Sequence, residues 1–379
     1  MAYDEIVISC DSHIVEVPEI FDGLQARFGD DAPGIVHDPE KGEVLHLGGG
    51  KTFFVSVGRF GIAGHFANDP ETQEMIKMGY KGLRPGVLDP IARIKDQDMD
   101  GVDAEILLPS VLLGLNTLPS ADIISATYQN YNDWVYNYAS QASDRLFPTS
   151  CVPLHDVSLA IEELYRTKKM GHFGANIPCV PPIEKPYSDP YYNPFWEVAQ
   201  ALQMPLVMHF LTSAQPNHGL PDPLPFGTGY GLANFGMMRV IVDIISSGVC
   251  ARYPNLKFVV TEFETGWVAH FLQRMDWATV AHYRNKPPEL TESFSHYFHQ
   301  SFAVTFEDDR IGLATRHEIG IKNLMWGSDF PHHDSTFPRS REVLDDIFDG
   351  VPEHERFAIT AGNVRDLYHL PTVEKAVVG

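Results

Sequence analysis

The sequence predicts a (β/α)8 barrel of the TIM type with an insertion after its first strand. Its 379 residues suffice for one large barrel or for two domains of ordinary size. Short apolar runs alternate with helical segments along most of the chain, which is typical of parallel strands joined by helical crossovers. Eight such runs occur, and eight strands close a barrel of this type.

The predicted strands share a short apolar run of residues, several of them bounded by Gly, Pro or Asp. They cover residues 6–10, 104–110, 147–154, 172–177, 205–210, 256–262, 301–305 and 324–326. An open, doubly wound sheet is the alternative architecture. That fold normally carries a glycine-rich turn after its first strand, whereas this chain has Asp11-Ser12-His13 there, which favours the barrel.

Helical segments separate most of these strands, and two of them carry clear start signals. Asp89 and Asp156 are predicted N-cap residues, and Pro90 follows Asp89 at the first helical position. The predicted helices cover residues 89–100, 120–143, 156–171, 191–202, 235–248, 265–283, 339–349 and 353–361.

The segment between the first and second strands, residues 17–88, is rich in Gly, Pro and Asp and follows no regular repeat. Within it, residues 44–47 and 52–57 flank Gly48-Gly49-Gly50, a pattern that predicts a β-hairpin. We expect this segment to be an insertion that covers one mouth of the barrel. Residues 1–379 would then form a single domain.

Composition excludes several classes of partner. The apolar fraction of 44% permits a large core, and the net charge of −22 argues against binding to nucleic acid or to anionic membranes. The N-terminus resembles no signal peptide, no apolar run reaches transmembrane length, and the four scattered cysteines indicate free thiols in a cytoplasmic protein. We expect a small-molecule substrate, and a homo-oligomer or an oligomer of related subunits.

Polar side chains follow four of the predicted strands at the ends where a barrel of this type carries its active site. Asp11 and His13 follow the first strand with a spacing that points both to the same face. His209, Glu262 and Asp329 end the fifth, sixth and eighth strands. Because acidic residues are rarely buried without a partner, these positions predict a site for a divalent metal ion.

Imidazole and carboxylate ligands suit Zn²⁺, Mn²⁺ or Fe²⁺, and the sequence does not choose among the three. We expect one ion rather than two. A dinuclear site in which Glu262 bridges two ions is the alternative, and His332 or His333 would then supply a further nitrogen ligand. His172 begins its strand and should lie at the opposite face, so we interpret it as structural.

Five segments carry a resemblance that spans nearly the whole chain. They are Asp11-Ser-His13-Ile-Val-Glu16, Met208-His209-Phe210, Arg252-Tyr-Pro-Asn-Leu-Lys-Phe-Val-Val-Thr-Glu262, Trp326-Gly-Ser-Asp329-Phe-Pro-His332 and Gly362-Asn-Val-Arg-Asp-Leu-Tyr368. In this order they resemble the amidohydrolase superfamily in its amidohydrolase-2 branch. That branch includes aminocarboxymuconate-semialdehyde decarboxylase and the resorcylate-type decarboxylases.

The resemblance implies that His13, His209 and Asp329 are metal ligands. Two positions depart from the common pattern of the family. Asp11 stands where many members have the first histidine of a His-x-His pair, and Glu262 stands where many have a catalytic histidine. Glu262 is therefore expected to act either as an acid–base group or as a further ligand.

We expect hydrolysis, by metal-activated water, of a small apolar or aromatic substrate that contains a carbonyl or carboxyl group. The expected catalytic residues are Asp329, Glu262 and His332, and the expected metal ligands are Asp11, His13, His209, Asp329 and Glu262. The expected substrate-binding residues are Glu16, Arg59, His333 and Trp267. Because the same ligands serve metal-dependent, non-oxidative decarboxylation, a carboxy-lyase is the alternative. A dinuclear-iron enzyme and an inactive barrel that acts as a scaffold are further alternatives.

Overall fold

The structure is a computed structural model that describes residues 5–118, 120–215, 228–282 and 287–375. Its strands in chain order are β1 (Ile8–His13), β2 (Gly34–Asp38), β3 (Gly42–Gly48), β4 (Lys51–Ser56), β5 (Ala104–Leu108), β6 (Leu146–Cys151), β7 (Gly174–Asn176), β8 (Leu206–His209), β9 (Phe258–Thr261), β10 (Phe302–Phe306) and β11 (Leu324–Trp326). Strands β1 and β5 to β11 form one sheet of eight parallel strands, each paired with the next along the chain. The predicted (β/α)8 architecture is therefore confirmed.

The helices cover the outside of this sheet and supply the crossovers. In chain order they are α1 (Leu24–Phe28), α2 (Pro70–Lys77), α3 (Pro85–Leu88), α4 (Pro90–Asp100), α5 (Ala121–Ala139), α6 (Val157–Met170), α7 (Asn193–Ala201), α8 (Thr228–Ser246), α9 (Val249–Arg252), α10 (Val268–His282), α11 (Phe294–Ser301), α12 (Arg310–Ala314), α13 (Arg316–Ile319), α14 (Ser340–Ile347), α15 (Glu353–Phe357) and α16 (Asn363–Tyr368). The predicted N-caps are confirmed, because Asp89 accepts a hydrogen bond from the Ala92 amide and Asp156 accepts one from the Ser158 amide.

The bounds of several elements differ from the prediction, and β1 spans Ile8–His13 instead of residues 6–10, so Asp11 and His13 belong to the strand rather than follow it. β7 is confined to Gly174–Asn176, α8 begins earlier than predicted at Thr228, and the last predicted helix continues through a π-helical turn at Ala358–Gly362 into α16. Several short helices, such as α11, were not predicted, because a few turns carry too little periodicity to be distinguished from a loop.

The barrel is nearly closed by contacts between β1 and the segment that follows β11. Ser12 pairs with Phe330 in a parallel bridge. The Asp329 amide donates to the Asp11 carbonyl over 2.9 Å, and the His13 amide donates to the Phe330 carbonyl over 2.6 Å. The first and last strands of the sheet therefore meet at the residues that the sequence predicts as metal ligands.

Alternating side chains of the parallel strands fill the interior of the barrel. They include Ile8, Ile106, Phe147, Val207, Val259, Ala303 and Met325. Val364 and Tyr368 of α16 belong to the same apolar cluster, and Tyr368 lies against Gly174 at the start of β7. Because α16 covers the N-terminal ends of the strands in this way, the site must lie at the opposite mouth.

The insertion after β1 forms a separate antiparallel sheet in the order β2-β3-β4. β3 and β4 are the predicted hairpin, and β2 is an additional strand on its other side. The insertion reaches the C-terminal mouth, where the Ala63 amide donates to the Pro331 carbonyl over 2.9 Å. There the Phe60 ring also lies 5.3 Å from the His332 ring. It therefore contacts the segment that follows β11.

The four cysteines, Cys10, Cys151, Cys179 and Cys250, are buried free thiols, as their scattered positions predict. Burial raises the pKa of each thiol, so they pack as small apolar side chains. In the part of the chain that the structure describes, no helix is both long enough and apolar enough to cross a membrane.

His172 lies just before β7, and its side chain is buried at 2% exposure. Burial lowers its pKa from 6.5 to about 4. In the unfolded chain the imidazole regains its ordinary pKa, so below about pH 6.5 the unfolded state binds a proton that the folded state does not. The stability linked to neutral His172 is thus present above the unfolded pKa and is lost as the pH falls towards the folded one.

We expect the free energy of unfolding of the unaltered protein to fall by roughly 2 kcal/mol more than that of His172→Gln when the pH drops from about 7 to about 5. Urea unfolding at both pH values measures this difference. His354→Gln, at an exposed position on α15, is the matched control and should follow the unaltered protein. An identical pH dependence in His172→Gln would contradict the prediction.

Candidate metal centre

Four of the predicted ligands converge at the C-terminal mouth of the barrel. Asp11 and His13 lie at the end of β1, His209 is the last residue of β8, and Asp329 follows β11. Their side chains are between 0% and 1% exposed. Strands far apart in sequence therefore bring two imidazoles and two carboxylates together in a fully buried position.

The ligand atoms of these side chains point at one another. His13 Nε2 lies 3.2 Å from Asp11 Oδ1 and 3.3 Å from Asp329 Oδ1. His209 Nε2 lies 3.5 Å from Asp11 Oδ1. One oxygen or nitrogen from each of Asp11, His13 and His209 falls within 4.8 Å of the others, a spacing that suits ligands of a common ion.

Backbone carbonyls fix the orientation of both imidazoles. His13 Nδ1 lies 2.7 Å from the Pro109 carbonyl, and His209 Nδ1 lies 2.6 Å from the Phe210 carbonyl. Because a carbonyl oxygen only accepts hydrogen bonds, Nδ1 carries the proton in each ring. The lone pair of Nε2 is thereby directed into the cluster, which is how metal-binding histidines are commonly oriented.

Six buried atoms of the cluster make no hydrogen bond within the described residues. They are Oδ1 and Oδ2 of Asp11, Oδ1 and Oδ2 of Asp329, Nε2 of His13 and Nε2 of His209. A buried polar atom left without a partner costs about 1–3 kcal/mol, so six at one point demand a common partner. A divalent cation meets this demand, and the residues present fit one.

Glu262 adds a third carboxylate beside this cluster. Its Oε2 lies 3.2 Å from His209 Nε2, and its side chain is 8% exposed. Glu262 has a φ of 64° and Asp329 a φ of 55°, both in the left-handed region that residues other than glycine rarely adopt. Backbone strain at both carboxylates is typical of functional positions, where the surrounding structure holds the side chain in place.

The segment around Gly327 approaches β1 too closely for any side chain. A Cβ atom on Gly327 would lie 3.1 Å from the Asp11 Cα and closer still to the Asp11 Cβ. Serine hydroxyls fill the rest of this junction, since the Ser328 amide and the Ser12 hydroxyl each donate to the Ser9 hydroxyl over 2.8 Å. The separation of Asp11 and Asp329 is therefore set by tight contacts between their backbones.

A buried arginine holds the junction from the side of α4. Arg93 is 0% exposed and donates through Nη1 to the His13 carbonyl over 2.6 Å. Its Nε donates to Glu105 Oε2 over 2.5 Å, and its guanidinium lies 4.8 Å from the centre of the Phe330 ring. Arg93 therefore contacts both chain segments that carry ligands on this side, and Glu105 neutralises its charge.

The electrostatic surroundings shift the pKa values of Asp11 and Asp329 in opposite directions. Burial would raise the pKa of Asp11, but the imidazoles of His13 and His209 outweigh it and hold that pKa below its usual range. Burial raises the pKa of Asp329 well above its usual range, and the neighbouring Glu307 carboxylate acts in the same direction. Two carboxyls of one site are thus driven towards different protonation states, which is typical of acid–base chemistry.

His332, a predicted catalytic residue, belongs to the cluster. It is 6% exposed, and its ring stacks on that of His13 with the centres 3.9 Å apart. Its Nδ1 lies 2.9 Å from Asp329 Oδ1, and its Nε2 lies 3.0 Å from the Ser110 hydroxyl. The His332 ring therefore lies between Asp329 and Ser110, with one ring nitrogen facing each.

The predicted substrate-binding residues other than Glu16 are more exposed than the cluster. The His333 side chain is 38% exposed, with its Nδ1 3.3 Å from Asp334 Oδ1. Trp267 is half-buried, and its Nε1 donates to the Phe263 carbonyl over 2.9 Å. Arg59 is half-buried on a short 3-10 helix of the insertion. Contact of these residues with a substrate stays a prediction.

Glu16 occupies a different kind of position. Its carboxylate is 0% exposed and accepts hydrogen bonds from the amides of Ser110, Val111 and Leu112 over 2.8–3.1 Å. It therefore ties the end of β1 to the loop after β5, which also carries the Ser110 hydroxyl that contacts His332. These amide hydrogen bonds occupy both oxygens of the Glu16 carboxylate. Contact between Glu16 and a substrate stays a prediction.

Sequence reasoning missed several residues of the site. Glu307 follows β10 at the same mouth, so the rule that selected the ends of the other strands was sufficient to find it. Ser110 follows β5, so the same rule was sufficient to find it as well. Arg93 and the serine hydroxyls carry no comparable signal, because a helix arginine and three scattered serines resemble ordinary surface residues in a sequence.

The fold and the cluster define a class of protein, a (β/α)8 barrel enzyme with a buried cluster of histidines and aspartates at its C-terminal mouth that fits a divalent metal ion. A family model described as amidohydrolase matches residues 18–370. The chain belongs to this family, the amidohydrolase-2 branch of the amidohydrolase superfamily. The resemblance noted in the sequence is thereby confirmed.

Curated relatives match over almost their whole length. The chain is 23% identical over 346 residues to γ-resorcylate decarboxylase of Polaromonas sp., a match that covers 83% of this chain and 99% of the relative. It is also 23% identical over 339 residues to γ-resorcylate decarboxylase of a Rhizobium sp., covering 83% and 98% of the two chains.

Solved structures share the fold. An amidohydrolase from Mycobacterium avium subsp. paratuberculosis is 20% identical, with a TM-score of 0.77 and coverage of 97% of this chain and 100% of the other. 5-Carboxyvanillate decarboxylase from Sphingomonas paucimobilis is 20% identical, with a TM-score of 0.67 and the same coverage. Dihydroxybenzoic acid decarboxylase from Polaromonas sp., with bound manganese and the inhibitor 2-nitroresorcinol, is 17% identical, with a TM-score of 0.67 and 97% coverage of both chains.

We expect Gly327→Ala to weaken Mn²⁺ binding by about 10- to 100-fold, because the added methyl group would push Asp11 away from Asp329. Titration of the metal-free protein with Mn²⁺ measures this. Gly34→Ala is the matched control, since a Cβ there meets nothing within 4 Å. If a folded Gly327→Ala protein bound Mn²⁺ as tightly as the control, the close approach would have no role in the site.

Proposed function

We propose that this protein is a metal-dependent decarboxylase that releases CO₂ from a small aromatic carboxylic acid. The observation that carries the proposal is the buried cluster of Asp11, His13, His209 and Asp329, whose convergent atoms are without hydrogen bonds among the described residues. The curated relatives that match over almost their whole length support the reaction type, since they are γ-resorcylate decarboxylases.

In this proposal Asp11, His13, His209 and Asp329 hold the ion. Mn²⁺ is favoured, since two hard carboxylates accompany two imidazoles and the decarboxylase from Polaromonas sp. contains manganese. The ion, when bound, would supply a Lewis acid that draws electron density from the oxygen atoms of the substrate. One ion suffices for this role, and Glu262 is placed to contact it beside His209.

The reaction breaks the bond between the ring carbon and the carboxyl carbon, leaves the electron pair on the ring carbon and requires a proton there. Asp329 is proposed as the acid that delivers this proton. Its Oδ1 lies 2.9 Å from His332 Nδ1, and His332 lies 3.0 Å from the Ser110 hydroxyl, so His332 is proposed to return a proton to Asp329. Glu262, the second carboxylate at this position, is proposed to orient the reacting group.

Hydrolysis was the first expectation from the sequence, and the relatives support decarboxylation better. In a hydrolase the same Asp329 would deprotonate a water molecule instead of protonating a carbon atom. The ligand set serves both reactions, so the products must decide between them. An inactive scaffold receives no support, because the ligands predicted at the ends of β1, β8 and β11 converge.

The surroundings of the cluster and the relatives both support the proposed substrate class. Phe60 of the insertion lies beside His332 and Trp267 follows β9 in the chain, and aromatic side chains suit an aromatic ring. Arg59, next to Phe60 in the chain, and His333 are proposed to bind polar groups of the substrate. Glu16 is proposed to position the loop that carries Ser110 rather than to contact the substrate directly.

We expect the Mn²⁺-loaded protein to convert at least one hydroxylated aromatic acid, such as γ-resorcylate or 5-carboxyvanillate, into CO₂ and the decarboxylated arene. Removal of the metal with a chelator should abolish the reaction, and Mn²⁺ should restore it. Chromatography of the aromatic product with parallel measurement of CO₂ tests this. Turnover of esters or amides without CO₂ release, in a protein inactive on a panel of aromatic acids, would establish hydrolysis instead.

We expect Asp329→Asn to lower kcat by at least about 10²-fold, because the amide cannot deliver a proton as a carboxylic acid does. Steady-state kinetics on the best substrate of the panel measure the loss, and circular dichroism establishes that the variant is folded. Asp366→Asn, at an exposed position on α16, is the control and should retain full activity. Unchanged turnover in Asp329→Asn would remove this residue from the chemistry.

A further inference from the structure

The segment that carries Glu262 has an unusual backbone. It covers residues 262–266, between β9 and α10. Glu262 has a φ of 64° and Glu264 a φ of 51°, so two residues of one short segment occupy the left-handed region without being glycines. Such residues persist only where contacts with the surrounding structure hold them. The contacts that hold this segment therefore decide where the Glu262 carboxylate lies.

Asp309 holds this segment from the loop after β10. Its Oδ2 accepts hydrogen bonds from the Thr265 amide over 2.7 Å, from the Thr265 hydroxyl over 2.9 Å and from the Gly266 amide over 2.6 Å. Its Oδ1 accepts a hydrogen bond from the Gly312 amide over 2.8 Å, in the first turn of α12. One carboxylate, on a residue that is 8% exposed, thus ties the segment after β9 to the N-terminus of α12.

Two glycines let the segment and α12 approach each other closely. A Cβ atom on Gly312 would overlap the Thr265 hydroxyl, and a Cβ atom on Gly266 would lie 2.9 Å from the Ile311 side chain. Thr265 itself is 0% exposed. The carboxylate of Asp309 is therefore enclosed between two backbone segments, and direct contact sets the distance between them.

Other contacts of the segment are weaker or more local. Trp267 Nε1 donates to two carbonyls just before it in the chain over 2.9 Å and 3.0 Å, so these bonds stay within the loop. The Glu262 amide donates to the Thr305 hydroxyl over a longer distance of 3.3 Å. Hydrogen bonds to a carboxylate are stronger than those between neutral groups. Among the described residues, Asp309 therefore makes the strongest tie between this segment and the loop after β10.

The position of Glu262 matters because its Oε2 lies 3.2 Å from Nε2 of His209, an expected metal ligand. We propose that Asp309 is a positioning residue of the metal centre. It holds residues 262–266 in the strained conformation that places the Glu262 carboxylate against His209, and it thereby raises the affinity of the centre for Mn²⁺. Asp309 itself contacts neither the ion nor the substrate. This role rests on the metal binding proposed above and not on the reaction that the protein catalyses.

The experiment titrates the metal-free, full-length protein with Mn²⁺ and measures Kd by equilibrium dialysis. We expect Asp309→Asn to weaken Mn²⁺ binding by about 10- to 100-fold, as is usual when a residue that orients a ligand is lost. The amide keeps one acceptor oxygen and turns an NH₂ group towards groups that are themselves donors. Circular dichroism establishes that the variant is folded. Unchanged Mn²⁺ affinity in folded Asp309→Asn would overturn the proposal.

Asp156→Asn is the matched control. Asp156 precedes α6 as Asp309 precedes α12, and its side chain accepts hydrogen bonds from the Ser158 and Leu159 amides over 2.8 Å and 3.1 Å. Both partners belong to the helix that it caps, so this variant should lose stability and keep the Mn²⁺ affinity of the unaltered protein. If both variants lost Mn²⁺ affinity equally, loss of a helix cap would explain the effect and Asp309 would have no special role.

A double-mutant cycle tests whether Asp309 acts through Glu262. Glu262→Gln should weaken Mn²⁺ binding, and the addition of Asp309→Asn should cause no further loss, because the segment then carries no carboxylate to place beside the ion. Losses that multiply in the double variant would show that Asp309 acts by another route, and they would also contradict the proposal.

Hydrogen exchange of the metal-free protein provides a readout that needs neither metal nor substrate. The amides of Thr265 and Gly266 should exchange faster in Asp309→Asn than in the unaltered protein or in Asp156→Asn, because they lose their acceptor. Equal protection of these amides in all three proteins would show that Asp309 does not hold the segment.

The outcome is distinguishable from that of the proposed function. A protein that binds Mn²⁺ and decarboxylates an aromatic acid, but keeps its Mn²⁺ affinity in Asp309→Asn, retains the function and loses this role of Asp309. A protein that shows the expected double-mutant cycle and releases no CO₂ retains the role of Asp309 and loses the function.

Discussion

The backbone junction between β1 and the segment after β11 is the constraint on which the rest of the site depends. The Asp329 amide donates to the Asp11 carbonyl and the His13 amide donates to the Phe330 carbonyl, so the contacts that close the barrel also set the distances among the ligands. The candidate ligands on this side of the barrel are therefore held by a rigid parallel sheet and not by mobile loops. A preorganised metal site requires such rigidity. Gly327 is needed because the two segments approach more closely than a side chain permits.

The substitutions that set this chain apart from the common pattern of its family have a shared physical effect. Asp11 and Glu262 place carboxylates where imidazoles are usual, so the centre becomes richer in hard donors and in negative charge. Such a donor set shifts the metal preference of the site towards hard ions such as Mn²⁺. It also raises the cost of the metal-free state, because buried like charges repel one another, and metal binding is therefore coupled to stability.

The choice between hydrolysis and decarboxylation shows what a ligand set can and cannot specify. Asp329 beside a metal ion serves as a base towards water or as an acid towards carbon, and the direction depends on the substrate that the mouth admits. Neither the motif around Asp329 nor its position at the end of β11 contains that information. The relatives supply the argument for decarboxylation, and the position of Phe60 beside His332 is compatible with it.

The sequence by itself determined the barrel and predicted the candidate ligands Asp11, His13, His209 and Asp329, which the structure brings together with Glu262 beside them. It could do so because consecutive parallel strands all end at one mouth of the barrel. The residues that end each strand are therefore placed at the site. Only the tertiary structure decided that Arg93 holds the junction, that His332 stacks on His13 while His333 faces outward, and that Glu307 is buried beside Asp329. These facts depend on the direction of side chains in loops and on distances between remote segments, which are fixed by closure of the barrel and not by local pattern.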